Sequence, residues 1–524
     1  MHARMMLAAA FILFGAGGAW TEEITVATLA DPTLDPHFVY LGSNVAVWRH
    51  FFTTLTMHDD DGNIIPSLAQ SWNAPDDHTW VFHLRPDAKF KDGAPVTADD
   101  VVFSLGRVGS VQGNPAPYTP AMQAIKGFEA DDPATVRVHT AVPAPDVPAN
   151  LMEIAIVSRS AVTGKSTSDF NSLQAMRENG PFTVVSFAQG DRLVLRANPN
   201  YWGEKSDWQQ VTIRFVKNDA ARVSALLAGD VDLIDTVPPN DVPKLRTNPK
   251  IAVEDGPSTR LLIVTINVRR DPIPTMTDAD GKPMATNPLT DVRVRQAVSK
   301  AFDRAALVDK IMDGEAIATS QYSVQGLVGF DPGLPVEKYD PQGARELLAT
   351  AGYPRGFGLS INCSNNRYPN DEKICQALGQ MLSRIGLQAK VETMPVAMLT
   401  PLLRGTPDEP SKVALGLNGI GAISNLPPIP GFVIHSINPT VGRGGSNYGR
   451  FSDPALDRAI DEAIATLDPQ QRDQRLRDAM AAARQQVPVI PLYFQKVTTA
   501  SRADLAFHTN PFEETLVWHI HKRQ

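Results

Sequence analysis

The order of patterns between residues 359 and 391 constrains the fold of this chain more than any other feature of its sequence. Apolar and polar residues alternate over 359–363, as they do along a strand. Apolar residues then recur every three or four positions over 374–385, as on a helix face, before Gly386 and a second alternation over 387–391. A helix that connects two strands lets them pair in parallel, so this order predicts an α/β domain.

Similar patterns elsewhere predict further strands and helices. Alternation predicts strands over residues 23–29, 80–84, 193–197 and 211–216, and helical spacing predicts helices over 99–105, 220–228, 294–308 and 344–351. The capping residues that mark the helices are Thr97, Gly229, Asp291, Asp340 with Pro341, and Asn370 for the helix over 374–385. Residues 271–288 contain four prolines and show no periodicity, which predicts a long surface loop.

Length and charge narrow the class of protein. The chain has 524 residues, of which 43% are hydrophobic, and this is enough for a large core that divides into more than one domain. The formal net charge is −8, and no basic cluster stands out along the chain. We therefore expect no nucleic-acid partner, because a polyanion binder needs a concentrated basic face.

Residues 1–20 have the features of a signal peptide. Arg4 provides a positive charge, residues 5–14 are apolar, and residues 17–19 are small, as a signal peptidase requires. A membrane anchor is the alternative, but the apolar run is too short to span a hydrocarbon core of about 30 Å. No cysteine lies near the cleavage region, so we expect an exported protein that carries no lipid.

Cys363 and Cys375 are the only cysteines in the chain. In an exported protein, an isolated pair favours one structural disulfide. A redox centre and half of a metal site are the other interpretations. Against them, the spacing is not C-x-x-C, and no cluster of histidine or cysteine lies nearby.

Motifs that would indicate catalysis are missing. Gly164-Lys165-Ser166 ends like a phosphate-binding loop, but Arg159 stands where that loop needs a glycine. No G-x-S-x-G or H-E-x-x-H motif occurs. His519 and His521 would share one face of a terminal strand, either as metal ligands or as two half-exposed histidines. We expect no enzyme activity, no metal site and no cofactor.

Three blocks of sequence resemble the signature blocks of solute-binding protein family 5, which includes periplasmic receptors for dipeptides, oligopeptides, nickel complexes, haem, opines and some sugars. The resemblance extends from about Thr25 to about Phe494. The blocks are PSLAQSWNAPDDHTWVFHLRPDAKFKDGAPVTADDVVFSL (66–105), GPFTVVSFAQGDRLVLRANPNYWG (180–203), and DVRVRQAVSKAFDR (291–304) followed by YDPQGARELLATAGYP (339–354).

The resemblance implies an α/β fold of the periplasmic binding protein type, in which two lobes joined by a hinge close on a ligand. Residues 21–60, 178–266 and 488–524 would form lobe one. Residues 61–177 would form an extra domain inserted in lobe one, and residues 267–487 would form lobe two.

The function that the resemblance implies is the periplasmic substrate-binding component of an ABC importer. Its ligand would be a peptide or a peptide-like solute that bears a carboxylate. Its other partners would be the membrane permease subunits, and we expect a monomer. A receptor of the same fold for a metal chelate, an opine or a sugar conjugate is the second hypothesis, and a secreted hydrolase is the third.

The resemblance also indicates where the ligand binds. Arg367, in the segment CSNNRYPN (363–370), stands where dipeptide receptors of the family hold the peptide carboxylate with an arginine. An exposed loop arginine is the other interpretation. The remaining ligand-binding residues that we expect are Tyr368, Asn418, Ile423 and Ser424.

One part of the family's ligand site is missing from this chain. The family holds a peptide amine with the aspartate of a Gly-Trp-x-x-Asp segment, but the corresponding stretch here, 419–425, has neither the tryptophan nor the aspartate. The place of the aspartate falls near Ile423. A buried ammonium without a carboxylate partner is costly. Ligands with a blocked amine, an acidic group or an uncharged head therefore stay open beside free-amine peptides that bind differently.

The N-terminal pattern predicts cleavage near Ala19. N-terminal sequencing of protein from the periplasm should begin close to Trp20 or Thr21, because the small residues that a signal peptidase needs lie just before them. An intact Met1 on protein from the cytoplasm would contradict export.

Overall fold

The computed structural model describes residues 22–30, 32–59, 62–114, 118–406, 409–422 and 429–523, so the predicted signal peptide at 1–20 lies outside it. Over these residues the chain is an α/β protein with an eleven-stranded mixed sheet, a four-stranded antiparallel sheet and two two-stranded ladders. The strands are β1 (Glu23–Thr28), β2 (Thr56–His58), β3 (Ile64–Pro66), β4 (Ala69–Asp76), β5 (Thr79–Leu84), β6 (Ile125–Asp132), β7 (Thr135–Thr140), β8 (Phe182–Ala188), β9 (Arg192–Ala197), β10 (Gln210–Phe215), β11 (Leu233–Ile234), β12 (Ile251–Ile266), β13 (Ala316–Ala318), β14 (Gly358–Ser364), β15 (Gln388–Met394), β16 (Leu415–Ile420), β17 (Val489–Arg502), β18 (Leu505–Ala506) and β19 (His521–Lys522).

The helices pack on both halves of the large sheet and beside the smaller one. Within the described ranges, no helix is both long and apolar enough to cross a membrane. The α-helices are α1 (Gly42–Trp48), α2 (Ala98–Val108), α3 (Thr119–Met122), α4 (Val147–Leu151), α5 (Arg159–Val162), α6 (Thr167–Asn171), α7 (Asp219–Ala228), α8 (Val242–Arg246), α9 (Val292–Lys300), α10 (Arg304–Lys310), α11 (Pro341–Thr350), α12 (Asp371–Arg384), α13 (Val396–Arg404), α14 (Pro454–Ile464) and α15 (Pro469–Gln486).

A ribbon of two long antiparallel strands, β12 and β17, runs through the centre of the large sheet. Their pairing extends from Ile251 opposite Arg502 to Thr265 opposite Val489. On one side, β12 is followed by β16, β14 and β15; on the other, β17 is followed by β11, β1, β10, β9 and β8. The two halves of the sheet are therefore joined through this ribbon.

The ribbon contains a bulge near its middle. The register shifts between the pair Pro257–Lys496 and the pair Leu261–Phe494. Residues 258–260 of β12 consequently lie opposite the single residue Gln495. A bulge of this kind bends a strand and changes the direction in which its side chains point, and bulges are frequent next to functional sites.

Buried apolar side chains form separate cores. One core joins the strands β1, β9 and β10 to residues 155–176 and to the C-terminal residues 505–520. A second core fills the other half of the large sheet, between β14 and the helices α9, α11 and α12. A third core, drawn from residues 55–156, underlies the four-stranded sheet. The boundaries that the sequence suggests for two lobes and an extra domain stay a prediction.

The segment that predicted the α/β class folds as expected. The strands β14 and β15 pair in parallel from Gly358–Gln388 to Ser364–Met394, and α12 connects them. The prediction for Asn370 was wrong in its chemistry. This residue precedes α12 with a left-handed backbone (φ 56°), and its side chain caps no helix N–H. The side-chain NH₂ donates to the carbonyl of Ile311 at 2.8 Å, and the left-handed backbone departs from the extended conformation that N-cap residues usually have.

The helix predicted over 294–308 is interrupted. The helix α9 ends at Lys300, and α10 begins at Arg304. Asp303 causes the new start, because its carboxylate accepts a hydrogen bond from the Ala306 N–H at 3.0 Å. Ala305, which the periodicity placed on the buried face, is exposed.

Two smaller predictions were also wrong. The stretch 271–288 is irregular, but it is not only a surface loop, because Ile273 and Met276 are buried in the second core. His519 and His521 do not share a strand. His519 ends a 3₁₀ turn, whereas His521 lies in β19 with its Nδ1 3.0 Å from the Asp207 carboxylate.

The disulfide that the sequence suggested, between Cys363 and Cys375, is present. It ties the end of β14 to the second turn of α12, and both cysteines are fully buried. The cross-link encloses Arg367 and Tyr368. A bridge that closes a loop of this size limits the freedom of the unfolded chain.

Removal of the bridge should lower the free energy of unfolding by about 3 kcal/mol in the chain-entropy model. Urea unfolding of Cys363→Ala, Cys375→Ala and the double variant would measure this. Either single substitution already breaks the bond. The double variant should therefore lose far less stability than the sum of the losses in the two single variants. Alkylation of both thiols without a reductant would show that the bond does not form.

Candidate functional site

The candidate site lies beside the bulge of the central ribbon. The bulge contributes Ser258 and Arg260, and the loop between β14 and α12 contributes Arg367 and Tyr368. Two further segments complete it: residues 418–421 at the end of β16, and Glu513 in the C-terminal segment. The Thr259 N–H donates to the Pro511 carbonyl at 2.8 Å, which holds the C-terminal segment against the bulge.

Arg260 and Glu513 form a close ion pair at this point. The Nε of Arg260 donates to Glu513 Oε1 at 2.9 Å and to Oε2 at 3.1 Å, and Nη2 donates to Oε2 at 2.5 Å. The hydroxyl of Ser258, which is fully buried, donates to Oε1 at 2.6 Å. Burial alone would raise the pKa of Glu513, but the charge and hydrogen bonds of Arg260 outweigh it and lower that pKa. Glu513 is therefore ionised.

Tyr368 connects the β14–α12 loop to the end of β16. Its hydroxyl accepts a hydrogen bond from the Gly419 N–H at 2.8 Å and lies 3.4 Å from Asn418 Oδ1. The ring packs so closely on Gly419 that a Cβ there would lie 2.7 Å from it. A glycine is thus required at 419 for the tyrosine to reach its place.

Arg367 is exposed at the edge of this cluster. Its backbone N–H donates to Asp371 Oδ2 at 3.0 Å, and its guanidinium lies 5.3 Å from the centre of the Tyr368 ring. No carboxylate among the described residues forms an ion pair with it. Partial desolvation and the repulsion of Arg260 lower the pKa of Arg367. The side chain is a cation that is free to bind an anion.

The structure brings together part of the predicted ligand set. Tyr368 contacts two of the other predicted residues, because its hydroxyl lies near Asn418 and its ring lies near the Arg367 guanidinium. Ile423 and Ser424 lie outside the described residues. Arg260 and Glu513, which are 253 positions apart, were not among the predicted residues. The local sign in the sequence was that Arg260 directly precedes the apolar, buried run 261–264.

A second cluster of charges lies behind Glu513, and its members are buried. Arg49 Nη2 donates to Glu153 Oε1 at 3.1 Å, and Arg49 Nε lies 3.0 Å from Glu514 Oε1. His58 Nε2 lies 3.3 Å from the other oxygen of Glu514. Although they are adjacent in the chain, Glu513 contacts Arg260 at the bulge, and Glu514 contacts the buried cluster.

The two carboxylates of the buried cluster share one guanidinium, and their pKa values move apart. Burial raises the pKa of Glu153 to about 7, and the neighbouring Glu514 carboxylate adds to that shift. Burial also opposes the charge of Glu514, but Arg49 and His58 outweigh it and lower its pKa to about 2. Glu514 carries the negative charge, and Glu153 holds a proton until the pH approaches 7.

Nothing in this region indicates a metal centre. Where residues are described, no group of three or more histidine, cysteine, aspartate or glutamate side chains is arranged to hold a metal ion. The arrangement offers two guanidiniums, a phenol and backbone amides, which are groups that bind anions and polar solutes.

The proton on Glu153 predicts a pH dependence. Its folded pKa of about 7 lies above the ordinary 4.5, so the stability that this proton gives is complete below pH 4.5 and lost as the pH rises to about 7. The loss is on the order of 3 kcal/mol. Glu153→Gln cannot lose a proton there, so the variant should gain stability relative to wild type between pH 5 and pH 8.

Urea unfolding at several pH values would measure this difference. Glu204→Gln, at an exposed position, is the matched control and should follow the wild-type curve. Parallel curves for Glu153→Gln and wild type would show that Glu153 is ionised throughout.

The comparisons of the sequence and of the structure with known proteins agree with each other. The family model described as "Bacterial extracellular solute-binding proteins, family 5 Middle" matches residues 63–412. Heme-binding protein A of Haemophilus influenzae is 26% identical over 82% of this chain and 79% of its own length. The probable D,D-dipeptide-binding periplasmic protein DdpA of Escherichia coli is 26% identical over 94% and 92%.

A solved structure agrees with these matches. The periplasmic binding protein DppA of Helicobacter pylori, in complex with the peptide STSA, is similar with a TM-score of 0.77 and 22% identity, over 96% of this chain and 99% of that one. The likeness shows that the two chains share a fold, as the sequence analysis predicted.

Proposed function

This chain belongs to family 5 of the bacterial extracellular solute-binding proteins, and from that premise we propose that it is the receptor of an ABC importer for a peptide-like solute with a carboxylate. The observation that carries the choice of ligand is Arg367. It is a cation without a carboxylate partner among the described residues, and it stands beside Tyr368 at the junction of four chain segments.

Arg367 would hold the carboxylate of the solute. A planar guanidinium can donate two parallel hydrogen bonds to a carboxylate, and a nearby aromatic ring limits the directions that it can take. The disulfide on either side of Arg367 supports the same role, because it stiffens the loop that presents the side chain. An anion placed here would also relieve the repulsion between Arg367 and Arg260.

Tyr368 and Asn418 would form the wall next to this carboxylate, since the Tyr368 hydroxyl lies between Asn418 and the backbone of Gly419. Ile423 and Ser424, two to three positions beyond Gly421 in the chain, stay in the proposed ligand set on the resemblance alone. These assignments describe a site with hydrogen-bonding groups for the body of a peptide-like molecule and one cation for its acid end.

We propose that ligand binding closes two lobes about the central ribbon. The lobes would be residues 21–60, 178–266 and 488–524 on one side and 267–487 on the other, with 61–177 as the extra domain. A close contact across the assigned boundary supports a closed arrangement. Gly442 of the proposed lobe two lies so close to the Gln123 side chain of the proposed extra domain that a Cβ at 442 would overlap it. Bulges and strand ends are places where such hinges absorb a change of backbone angle.

Export to the periplasm by cleavage of residues 1–20, the absence of a lipid anchor, the monomeric state and the absence of catalysis belong to the same proposal. The two relatives support the absence of catalysis, because they are named as binding proteins. A receptor for a metal chelate, an opine or a sugar conjugate is the second candidate. The heme-binding relative supports this second candidate, because heme is not a peptide.

Substitution of Arg367 tests the proposal. The solute that co-purifies with the periplasmic protein would be identified by mass spectrometry, and its affinity measured by calorimetry. Arg367→Ala should weaken binding by a factor of about 30 or more, because a desolvated charge would lose its partner. Arg367→Lys should recover only part of this loss, because an ammonium cannot reproduce the two-pronged contact.

Arg475→Ala, an exposed arginine on α15, is the control and should bind as wild type does. Equal affinity of Arg367→Ala and wild type would mean that Arg367 is a surface residue and that the carboxylate binds elsewhere.

A further inference from the structure

We propose that Arg260 is a second anion-binding group of the cleft, and that the solute is therefore acidic at the end where a peptide would carry its ammonium. This inference rests on the proposed function, and it names the class of solute: a peptide-like molecule with two acidic groups. The reasons are the fixed position of Arg260, the hydrogen bonds that engage both oxygens of Glu513, and the charges of the neighbouring side chains.

Arg260 is held in one orientation. It lies in the bulge of β12, and its backbone N–H donates to Ser258 Oγ at 2.9 Å. The Nε and Nη2 atoms are bound to Glu513, whereas Nη1 donates to no described residue. One edge of the guanidinium is thus anchored, and the opposite edge offers hydrogen-bond donors to a ligand.

The Arg260 guanidinium also lies beside the C-terminal end of β16, close to the stretch where the family holds a peptide amine. A Cβ on Gly421 would stand 3.6 to 3.7 Å from its Nη2, Cζ and Nη1 atoms. These nearly equal distances mean that the guanidinium faces Gly421 with its flat side. Gly421 precedes Ile423 by two positions, and Ile423 is where the resemblance placed an amine-binding aspartate. This end of the strand therefore has a cation beside it.

Glu513 does not take over the role of the missing aspartate. Its Oε1 accepts from Arg260 Nε and from Ser258, and its Oε2 accepts from Arg260 Nε and Nη2. Three donors therefore engage both oxygens of the carboxylate, because the Arg260 Nε–H is shared between them. An ammonium group of a ligand would have to displace a guanidinium that already forms a charged, two-pronged pair.

The charges around the cleft agree with this conclusion. Arg260 and Arg367 repel each other, and Glu513 and the Tyr368 ring are the other groups that act on Arg367. Glu513 pairs with Arg260, and no described carboxylate pairs with the Arg367 guanidinium. Asp371, under the same loop, is engaged by the backbone N–H groups of Arg367 and Tyr368. Such a place repels an ammonium and attracts a carboxylate or a phosphate.

Three synthetic probes that differ at one group would test the inference. N-succinyl-Ala-Ala, N-butyryl-Ala-Ala and β-alanyl-Ala-Ala place a carboxylate, a methyl and an ammonium at the same distance from a common dipeptide. Calorimetry would be carried out on the full mature protein after removal of co-purified solute. The succinyl probe should bind about tenfold or more tightly than the butyryl probe, and the β-alanyl probe should bind most weakly.

Two variants assign the difference to Arg260. The double variant Arg260→Met/Glu513→Gln removes both charges of the pair, so neither residue is left as a charge without its partner and the net charge is unchanged. It should bind the succinyl and butyryl probes equally, with the butyryl affinity of wild type. Arg260→Lys keeps the charge without the two-pronged contact, and it should show a smaller preference for succinyl. This second variant serves if the double variant does not fold.

Several results would overturn the inference. One is equal or weaker binding of the succinyl probe to wild type, and another is a preference for succinyl that persists in the double variant. A third is tight binding of the β-alanyl probe that is lost in Glu513→Gln, because Glu513 would then hold the amine. If the butyryl probe binds in a manner that depends on Arg367, the proposed function stands in each of these cases. If no probe binds wild type, the peptide-like ligand class is overturned with it.

Discussion

The antiparallel pairing of β12 with β17 is the interaction on which the rest of the structure depends. Each strand is long, with 16 residues in β12 and 14 in β17, and the two are the only connection between the two halves of the large sheet in the described chain. Because every other strand of that sheet joins through this ribbon, its register decides which segments can meet. The larger of its two register shifts, over 258–260, is where the polar residues of the candidate site collect.

The C-terminal segment turns this interruption into a charged site. Glu513 and Glu514 are neighbours in the chain, yet one pairs with Arg260 at the bulge of β12 and the other with Arg49 and His58 in the interior. The backbone of Glu513 has a positive φ of 64°, which a residue other than glycine rarely adopts. The surrounding contacts hold it there. The buried ion pairs of Glu514 therefore fix the position of the carboxylate that orients Arg260.

Sequence patterns were most reliable where a structural element depends on residues close together in the chain. The strand–helix–strand order at 359–391 and the disulfide within it are both present, because periodicity and spacing report them directly. Sequence patterns failed where a side chain forms a hydrogen bond that the local helix pattern does not predict. Asp303 divides a helix that the apolar spacing made continuous, and the side chain of Asn370 donates to the Ile311 carbonyl and caps no N–H of its own helix. Both outcomes depend on which hydrogen-bond partner is nearer after folding.

By itself the sequence determined the α/β class, the strands β1, β5, β9, β10, β14 and β15, five helical stretches, the Cys363–Cys375 bridge and the resemblance to a family of solute receptors, but not the two strands of the central ribbon. It also placed Arg367 beside Tyr368. Only the tertiary structure decided that Arg260 lies near Arg367 and is anchored by Glu513, 253 positions away. The physical reason is that periodicity records which face of an element is buried, whereas a charged cluster depends on how distant segments meet. That meeting is set by the register and the bulge of the central ribbon, which no local pattern encodes.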